Sequence, residues 1–539
     1  MLILSLRHLL VAEQEIPKPF PATAGLTGGH ACIPGSTFGL CVDFAYRDKG
    51  GDMKFRNDPE GLRLPVKLDA TTNGEFAPIP LEAIHRHANR LALEEATARS
   101  RRLGMDRRSF LVSACGVTST LASFNTAYAA AGRTGGFYEL PREAPLDLFA
   151  ARSAVDGNEF IFDVQGHFVN PTGAWLKTLD PGERPLQFAT DRSSCEPHRG
   201  AGERDYLNCV GPDQFVKDVF MDSDTDLMVL SFVPSTRQGE PLTIEEAQAT
   251  ARIVEKLDGT HRLLIHGRVN PNQPGDLEGM DELASRHRIS AWKTYTQWGP
   301  DGRGFFMDDE PGIRLIEKAR SLGVRNIAIH KGLPFGPRSY EHSTCADIGR
   351  VAKRYPDVNF LIYHSGFVAG KAEGPHDPSR TDGIDGLLAS LQANDIKPGS
   401  NVYAELGSTW RFLMRDPDSA AHGLGKLLKH CGETNVLWGT DSIWYGSPQD
   451  QIQAFRTFQI SPELREKHGY PEITPALRAK VFGLNATKVY SIPADVLKKH
   501  VKDRVARERD GYRNEADPTF LTHGPRTRRE FLNLKTWGG

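Results

Sequence analysis

From Phe160 onward, apolar and polar positions alternate between short strand-like runs and longer helix-like runs. The short runs are rich in Ile, Val, Leu and aromatic residues, as in ISAWKTY and NFLIYH, which is typical of buried strands. Between them lie segments such as IEEAQATARIVEKL and GIRLIEKARSLG, which show the period of an amphipathic helix. This alternation predicts a parallel α/β fold.

Eight strands are predicted, and this number favours a (β/α)8 TIM barrel, with a doubly wound sheet as the alternative. The first strand begins at Phe160 and runs into the polar residues of FIFDVQGH. The other seven are predicted at 226–233, 262–269, 289–295, 326–330, 359–364, 401–405 and 436–441.

The barrel is predicted to extend over 130–490, with additional segments on both sides. Residues 1–104 form an N-terminal extension with little clear periodicity, and a misassigned start is one explanation, with Met53 or Met105 as the true first residue. A long polar insertion at 171–212 follows the first strand and is placed to form a lid or wall over the barrel. Residues 491–539 are predicted to form a charged helix and a polar tail.

Residues 105–129 resemble a twin-arginine export signal. Arg107 and Arg108 precede a short apolar stretch, and Ala127-Tyr128-Ala129 follows with the small residues of a cleavage site. The apolar stretch is too short to span a membrane. We therefore expect a periplasmic or secreted protein whose mature chain begins near Ala130. The alternative is an ordinary amphipathic helix that follows a chance pair of arginines. Such signals normally lie near the N-terminus, so either the start is misassigned or the leader is unusually long.

Composition narrows the class of protein without changing the predicted fold. The chain has 539 residues, and its 66 Lys and Arg nearly balance 68 Asp and Glu. This balance leaves no net positive charge that would attract nucleic acid or a membrane surface. A small-molecule substrate is therefore expected. Seven cysteines without a C-x-x-C pair argue against a structural zinc ribbon. In an oxidising compartment Cys195 and Cys209 are close enough in sequence to pair, and two free thiols are the alternative.

Side chains that coordinate metals or transfer protons stand at the ends of six predicted strands. In a barrel the carboxyl ends of all strands open onto one face, where active sites lie. Alternate residues of a strand share a face, so Asp163, Gln165 and His167 of the first strand are expected to point the same way. The later strand ends supply Lys293, His330, His364, Glu405 and Asp441.

The segments FDVQGH, IAIHKG, LIYHSG and LWGTDSIWYG, with the closing FGLNATKVY, resemble the amidohydrolase superfamily. The resemblance is strongest to the branch that contains aminocarboxymuconate-semialdehyde decarboxylase, and it covers 160–490. It implies that His167, His330 and Asp441 bind one divalent ion, zinc first and manganese or iron as alternatives. It also implies that His364, with Asp441, activates a water molecule or polarises the substrate.

Gln165 stands where the family carries the first histidine of its H-x-H motif. Three interpretations follow: the amide oxygen binds the metal, the amide hydrogen-bonds a ligand, or the site has lost its ion. Lys293 is expected to contact an oxyanion or a carboxylate, and a carbamylated bridging ligand is its alternative. Arg268 is a candidate anchor for an anionic substrate, and a surface or ion-paired arginine is its alternative.

The predicted function is hydrolysis of an amide, ester or lactone by a metal-activated water. Non-oxidative decarboxylation of a cyclic or aromatic acid is the second hypothesis, and release of CO2 would distinguish it. The third hypothesis is a barrel that binds a ligand without turnover, and Gln165 is its main support. Related barrels often pair, so a homodimer is among the expected assemblies.

Overall fold

The computed structural model describes residues 57–537, except 70, 73–74, 179–204, 259–260, 300–301, 335–339, 494–495, 497–510 and 513–514, together with 31–32 and 41–42. Residues 1–52 and 53–539 are two separate compact units. In the first unit, strands β1 (Ala31–Cys32) and β2 (Cys41–Val42) pair in antiparallel fashion. Everything below concerns the second unit.

A helical layer precedes the barrel in the chain and packs on its outside. The elements of this layer are α1 (Ala83–Arg102), α2 (Arg107–Val112), α3 (Ala114–Ala130), β3 (Gly136–Tyr138) and α4 (Leu148–Val155). Asp106 and Ser113 begin α2 and α3, because their side chains accept hydrogen bonds from the backbone N–H groups of Ser109 and Gly116. The layer shares one apolar core with the outer face of the barrel.

The segment that resembles an export signal is folded into this layer. Of the 17 residues of α3, 11 are buried. Arg108 is fully buried, lies 3.5 Å from Asp58 and 3.2 Å from Asp517, and stacks on the ring of Phe520. Tyr128 Oη donates a hydrogen bond to the carbonyl of Arg415 over 2.7 Å. The segment is therefore part of the packed chain, and its use in export stays a prediction.

Eight parallel strands form the barrel, and each pairs with its neighbours in chain order. They are β4 (Phe162–Gly166), β5 (Leu227–Leu230), β6 (Leu263–Arg268), β7 (Ile289–Tyr295), β8 (Asn326–His330), β9 (Asn359–Tyr363), β10 (Val402–Glu405) and β11 (Val436–Leu437). A parallel bridge between Gly166 and Ser442 joins the first strand to the chain after the last. The prediction of a (β/α)8 barrel is confirmed.

Helices surround the barrel, and short ones occupy its loops. They are α5 (Asp205–Cys209), α6 (Pro212–Val216), α7 (Ile244–Asp258), α8 (Asp276–Arg286), α9 (Glu310–Ser321), α10 (Tyr340–Ser343), α11 (Ile348–Arg354), α12 (Gly383–Ala393), α13 (Thr409–Leu413), α14 (Pro417–His430), α15 (Gln449–Thr457), α16 (Pro462–His468), α17 (Pro475–Ala479) and α18 (Asn485–Val489). Strand β12 (Phe458–Ile460) pairs with β3 and ties the outer layer to the barrel. A further helix covers Arg528–Trp537.

The apolar side chains divide into a core inside the barrel and a larger core between strands and helices. The inner core is formed by Phe162, Val164, Leu227, Val229, Ala291, Ala328, Leu361 and Leu437, among others. Because these side chains fill the barrel, it is a solid core rather than a channel. The polar strand-end residues therefore lie at one mouth of a filled barrel.

Several sequence predictions fall outside the described residues. These are most of the insertion at 171–212, including Cys195, and most of the charged helix after residue 491. Cys209 is disulfide-bonded, whereas Cys115, Cys345 and Cys431 are free and buried. In the described part of the chain, no helix combines the length and the apolar character needed to cross a membrane.

His422 of α14 gives the fold a predictable pH dependence. Its ring centroid lies 5.2 Å from that of His468, and its Nδ1 lies 3.1 Å from Tyr470 Oη. Burial, and then the charges of His468, Lys426 and Lys467, lower the pKa of His422 to about 4. The unfolded chain, with a histidine pKa of about 6.5, binds protons first as pH falls. His422 therefore stabilises the fold fully above about pH 6.5, and this contribution is lost toward pH 4.

Thermal unfolding midpoints measured between about pH 8 and pH 4 are expected to show this loss. The His422→Gln variant should lose less stability below about pH 6.5 than the wild type, because glutamine does not titrate. His261→Gln is the matched control, since His261 is exposed and pairs with Glu255. If the unfolding midpoints of all three proteins fell equally with decreasing pH, the assignment to His422 would be wrong.

Candidate active site

Four polar side chains from three strand ends meet at the mouth of the barrel. His167 Nε2 lies 3.1 Å from Asp441 Oδ1, and Gln165 Nε2 donates a hydrogen bond to the same oxygen over 3.0 Å. Gln165 Nε2 also lies 3.4 Å from both His167 Nε2 and His364 Nε2. All four side chains are buried, and the sequence predicted each of them as a site residue.

His330, at the end of β8, reaches this cluster through His364. Its Nδ1 lies 3.2 Å from His364 Nε2, and the two ring centroids are 4.4 Å apart. Burial lowers the pKa of His330 well below its ordinary value and that of His364 to about 4. Both imidazoles are therefore neutral near pH 7, so each keeps one nitrogen lone pair.

Backbone carbonyl groups fix which nitrogen of each ring carries the proton. His167 Nδ1 lies 2.8 Å from the carbonyl oxygen of Ser231, and His364 Nδ1 lies 2.6 Å from that of Gly407. A carbonyl oxygen only accepts, so each Nδ1 is the donor. The Nε2 atom of the neutral His364 ring therefore presents a lone pair to the cluster, as a proton-accepting histidine requires, and His167 Nε2 faces Asp441 Oδ1.

The amide of Gln165 decides whether the cluster can hold a metal ion. Within the described residues, no three His, Cys, Asp or Glu side chains are grouped to hold one. His167 Nε2 and Asp441 Oδ1 supply two converging donors, and the amide of Gln165 lies beside both. The role of His330 as a metal ligand stays a prediction. Its Oε1 is buried and has no hydrogen-bond partner in the described part of the chain.

A half-turn of the Gln165 amide exchanges its nitrogen and oxygen positions. Oε1 would then lie beside Asp441 Oδ1, an arrangement of two acceptors that is favourable only with a cation between them. The resulting set, one imidazole nitrogen and two oxygens, suits a divalent ion and is harder than the histidine-rich set of the family. The residues present therefore fit a divalent metal ion.

Comparison with known proteins agrees with this geometry. The sequence profile of the amidohydrolase family matches residues 162–492, which include all eight barrel strands and the four clustered side chains. The chain belongs to the amidohydrolase family. The protein is therefore an enzyme of that superfamily, as its sequence predicted.

Two solved structures are similar to the chain at low sequence identity. A 5-carboxyvanillate decarboxylase from Novosphingobium aromaticivorans, complexed with manganese, is 13% identical, with 62% of this chain and 96% of that one covered and a TM-score of 0.42. The 2,6-dihydroxybenzoate decarboxylase from Rhizobium is 14% identical, with 62% and 99% covered and a TM-score of 0.37. No curated protein matches the chain.

In this amidohydrolase, two strand-end carboxylates accept hydrogen bonds from the backbone of residues in and next to the cluster. Asp163 accepts hydrogen bonds from the backbone N–H groups of Thr440 and Gln165, and Glu405 accepts from those of His364 and Gly407. Burial raises the pKa of Asp163 to about 7 and that of Glu405 to about 8. The pairing of β4 with β5 shifts register between Asp163 and Gly166, and Asp163 bonds to Thr440 and to the backbone of Gln165.

Lys293 of the amidohydrolase lies fully buried inside the barrel. Its Nζ is 3.8 Å from the ring centroid of Tyr363 and 4.8 Å from that of Tyr295, and it has no hydrogen-bond partner among the described residues. Burial lowers the pKa of Lys293 to about 7, while the nearby Glu405 and Asp441 act in the opposite direction. Its ammonium form is therefore less stable than that of an exposed lysine.

Arg268, the second predicted substrate contact, is held in ion pairs. Its Nε lies 2.7 Å from Glu240, and its Nη1 lies 2.8 Å from Asp276 and donates to the carbonyl of Ser235. Two carboxylates neutralise the guanidinium, which is the alternative that the sequence left open. A role for Arg268 in substrate binding stays a prediction.

Sequence reasoning missed two residues that touch the cluster of this amidohydrolase. Ser408 Oγ donates a hydrogen bond to Asp441 Oδ2, and it lies 2.7 Å from Tyr445 Oη. Ser408 follows the end of β10, and Tyr445 lies within the segment LWGTDSIWYG. Position at a strand end was the available signal for Ser408, and a tyrosine close to a candidate ligand was the signal for Tyr445.

Proposed function

We propose that the protein is a metal-dependent hydrolase that attacks the carbonyl carbon of an amide, ester or lactone with an activated water molecule. The observation that carries this proposal is the convergence of His167 Nε2, Asp441 Oδ1 and the Gln165 amide. His167, Asp441 and Gln165 would hold the ion. A divalent ion bound there supplies Lewis acidity and lowers the pKa of bound water to about 7 in favourable cases.

His364 is the proton-transfer residue of the proposed reaction. Its Nε2 carries the lone pair that faces the cluster, because Nδ1 donates to the carbonyl of Gly407. It can accept the proton of the attacking water and return it to the leaving group. When protonated, Nε2–H would lie 3.2 Å from Nδ1 of His330, which can accept a hydrogen bond from it. His330 thus supports His364 in both protonation states.

Lys293 supplies the positive charge of the proposed site. The charge of Lys293 lowers the pKa of His330 and of His364, and the charge of Asp441 raises the pKa of Lys293. Since its ammonium form is stabilised by added negative charge, an oxyanion or substrate carboxylate at the mouth would favour that form. Zinc remains the first candidate for the ion, and the oxygen of Gln165 brings the harder ions manganese and iron into consideration.

Decarboxylation of a cyclic or aromatic acid is the second candidate function. The specific observation in its favour is Lys293, a fully buried amine without a hydrogen-bond partner in the described chain. Such a group suits a substrate carboxylate that leaves water on binding. Release of CO2 from an acid, without hydrolysis products, would identify this reaction.

Metal content tests the proposal directly. The wild-type protein, purified without chelator, is expected to contain about one divalent ion per chain. Gln165→His restores the H-x-H pattern and should bind zinc more tightly, whereas Gln165→Ala removes the third donor. The loss in Gln165→Ala is expected to be at least about 10-fold in affinity, since even outer-shell changes cost about 10–100-fold.

Gln459→His is the matched control, because Gln459 lies on β12 and bonds to Glu139 and Ile473, away from the cluster. Its zinc affinity should equal that of the wild type. Elemental analysis by mass spectrometry and competitive zinc titration supply the two readouts. Failure of the wild type and of Gln165→His to take up any divalent ion would overturn the proposed function and favour a barrel that binds without turnover.

A further inference from the structure

The two carboxylate oxygens of Asp441 have separate partners. Oδ1 faces His167 and Gln165, whereas Oδ2 accepts a hydrogen bond from Ser408 Oγ. Tyr445 Oη lies 2.7 Å from the same Oγ, so the serine hydroxyl is held from two sides. Ser408, Tyr445 and Asp441 are all buried. A rotation of the carboxylate that moved Oδ1 away from His167 would break the bond to Ser408.

We propose that Ser408 and Tyr445 are positioning residues that orient the Asp441 carboxylate toward His167 and thereby set the affinity of the site for a divalent ion. This inference rests on the proposed function, because it concerns the same cluster. It assigns a function to two residues that act on Asp441, Ser408 by a direct hydrogen bond and Tyr445 through Ser408 Oγ.

The backbone around Ser408 shows what the serine side chain adds. Ser408 and Asp441 both adopt left-handed backbone conformations, with φ of 54° and 59°. Residues other than glycine rarely adopt such conformations, which cost on the order of 1 kcal/mol or more. Glycine would adopt the conformation at 408 with less strain. The hydroxyl group directed at Asp441 is therefore the contribution that a glycine at this position would lack.

The preceding residue, Gly407, explains why the chain approaches the cluster so closely. A Cβ atom at Gly407 would lie 2.0 Å from Gln165 Oε1, so a side chain there would displace the Gln165 amide. The carbonyl of Gly407 also receives the hydrogen bond from His364 Nδ1. Residues 407 and 408 thus contact three of the four clustered side chains. The segment after β10 is a structural part of the candidate metal site.

Two residues of α13 pack against Tyr445, and one of them, Arg411, is bonded to the N-terminal extension. The guanidinium carbon of Arg411 lies 5.8 Å from the ring centroid of Tyr445, and Arg411 donates to the carbonyl of Asp69 and to Asp450. The ring of Phe412 lies 6.2 Å from that of Tyr445. These contacts limit the movement of the tyrosine, as a positioning role requires.

Cobalt(II) titration followed by visible absorption tests the inference. Ser408→Gly removes the hydroxyl group and suits the left-handed backbone, so it should fold. Tyr445→Phe removes only the outer hydroxyl. Each variant is expected to bind cobalt(II) about 10–100-fold more weakly than the wild type. Tyr138→Phe is the matched control, because it removes a buried hydroxyl that donates to Met414 O over 2.9 Å, away from the cluster.

Wild-type cobalt(II) affinity in both Ser408→Gly and Tyr445→Phe would overturn the inference and leave the proposed function intact. A wild type that bound no cobalt(II) would instead overturn the proposed function. The inference is then decided by thermal unfolding, which needs no metal. The shift in midpoint caused by Ser408→Gly should differ between the wild-type and Asp441→Ala backgrounds. Equal shifts in the two backgrounds would overturn it.

Discussion

Replacing Asp441 by asparagine is expected to reduce turnover by about 10²–10⁴-fold, the range seen when a residue that moves or holds a proton in the reaction is lost. The amide keeps the shape of the carboxylate but removes its charge. Both His167 and Gln165 approach Asp441 Oδ1 within hydrogen-bond distance. The variant is therefore also expected to lose its metal ion, because an imidazole and two neutral amides remain.

The measurement is steady-state kinetics on a panel of esters, lactones and aromatic acids, with metal content determined on the same samples. Asp385→Asn is the matched control, since Asp385 is equally buried but pairs with Lys426, 3.0 Å away, outside the cluster. That control should lose stability and keep turnover. Unchanged turnover and metal content in Asp441→Asn would contradict the assignment of the site.

A chain that begins at Ala130, as removal of an export signal would produce, is expected to be unfolded or aggregated. It lacks α1, α2 and all but the last residue of α3, and with them the fully buried Phe110, Leu111, Leu121 and Phe124. Burial of each such side chain contributes about 1.5–3 kcal/mol. The sum is comparable to the whole stability of an ordinary domain, about 5–15 kcal/mol.

Circular dichroism, thermal unfolding and size-exclusion chromatography measure this effect. A chain that begins at Met53 is the matched control, because residues 53–539 form one compact unit. It should unfold cooperatively and retain its ion. If the chain from Ala130 were equally stable and bound metal equally well, the helical layer would be dispensable and removal of a twin-arginine signal would be supported.

The barrel was predictable from sequence because its strands are short apolar runs separated by amphipathic helices. The strands at Ile289–Tyr295 and Asn326–His330 have the predicted bounds. The last strand was predicted to reach Asp441 but ends at Leu437. Asp441 itself has a φ of 59°, a conformation outside the strand region that residue type does not signal.

The candidate site was predictable only in part, since hydrogen-bond partners depend on tertiary contacts. Strand-end position and resemblance to the family identified His167, His364 and Asp441. The same reasoning did not foresee that Ser408 would hold the second oxygen of Asp441. It also left the partners of Arg268 open, because Glu240 and Asp276 come from other parts of the chain.

The N-terminal extension could not be interpreted from sequence for a related reason. Its residues before α1 follow no helical or strand period, so no pattern reports on their packing. In the structure the carbonyl of Asp69 accepts from Arg411, and the ring of Phe76 lies 5.3 Å from that of Phe412. Such segments are ordered by the surface that they cover, which lies more than 300 residues away in the chain.

The contacts of Asn57 and Arg108 with Asp517 have a consequence for the order of events during synthesis. Asn57 bonds to Asp517 across 460 positions, and Arg108 does so across 409. Asp517 is synthesised long after Asn57 and Arg108, so neither residue can bond to it before then. Closing such long loops is slow compared with forming local helices. The bonds to Asp517 therefore form only after the barrel strands have been synthesised, whereas Arg108 can meet Asp58 much earlier in synthesis.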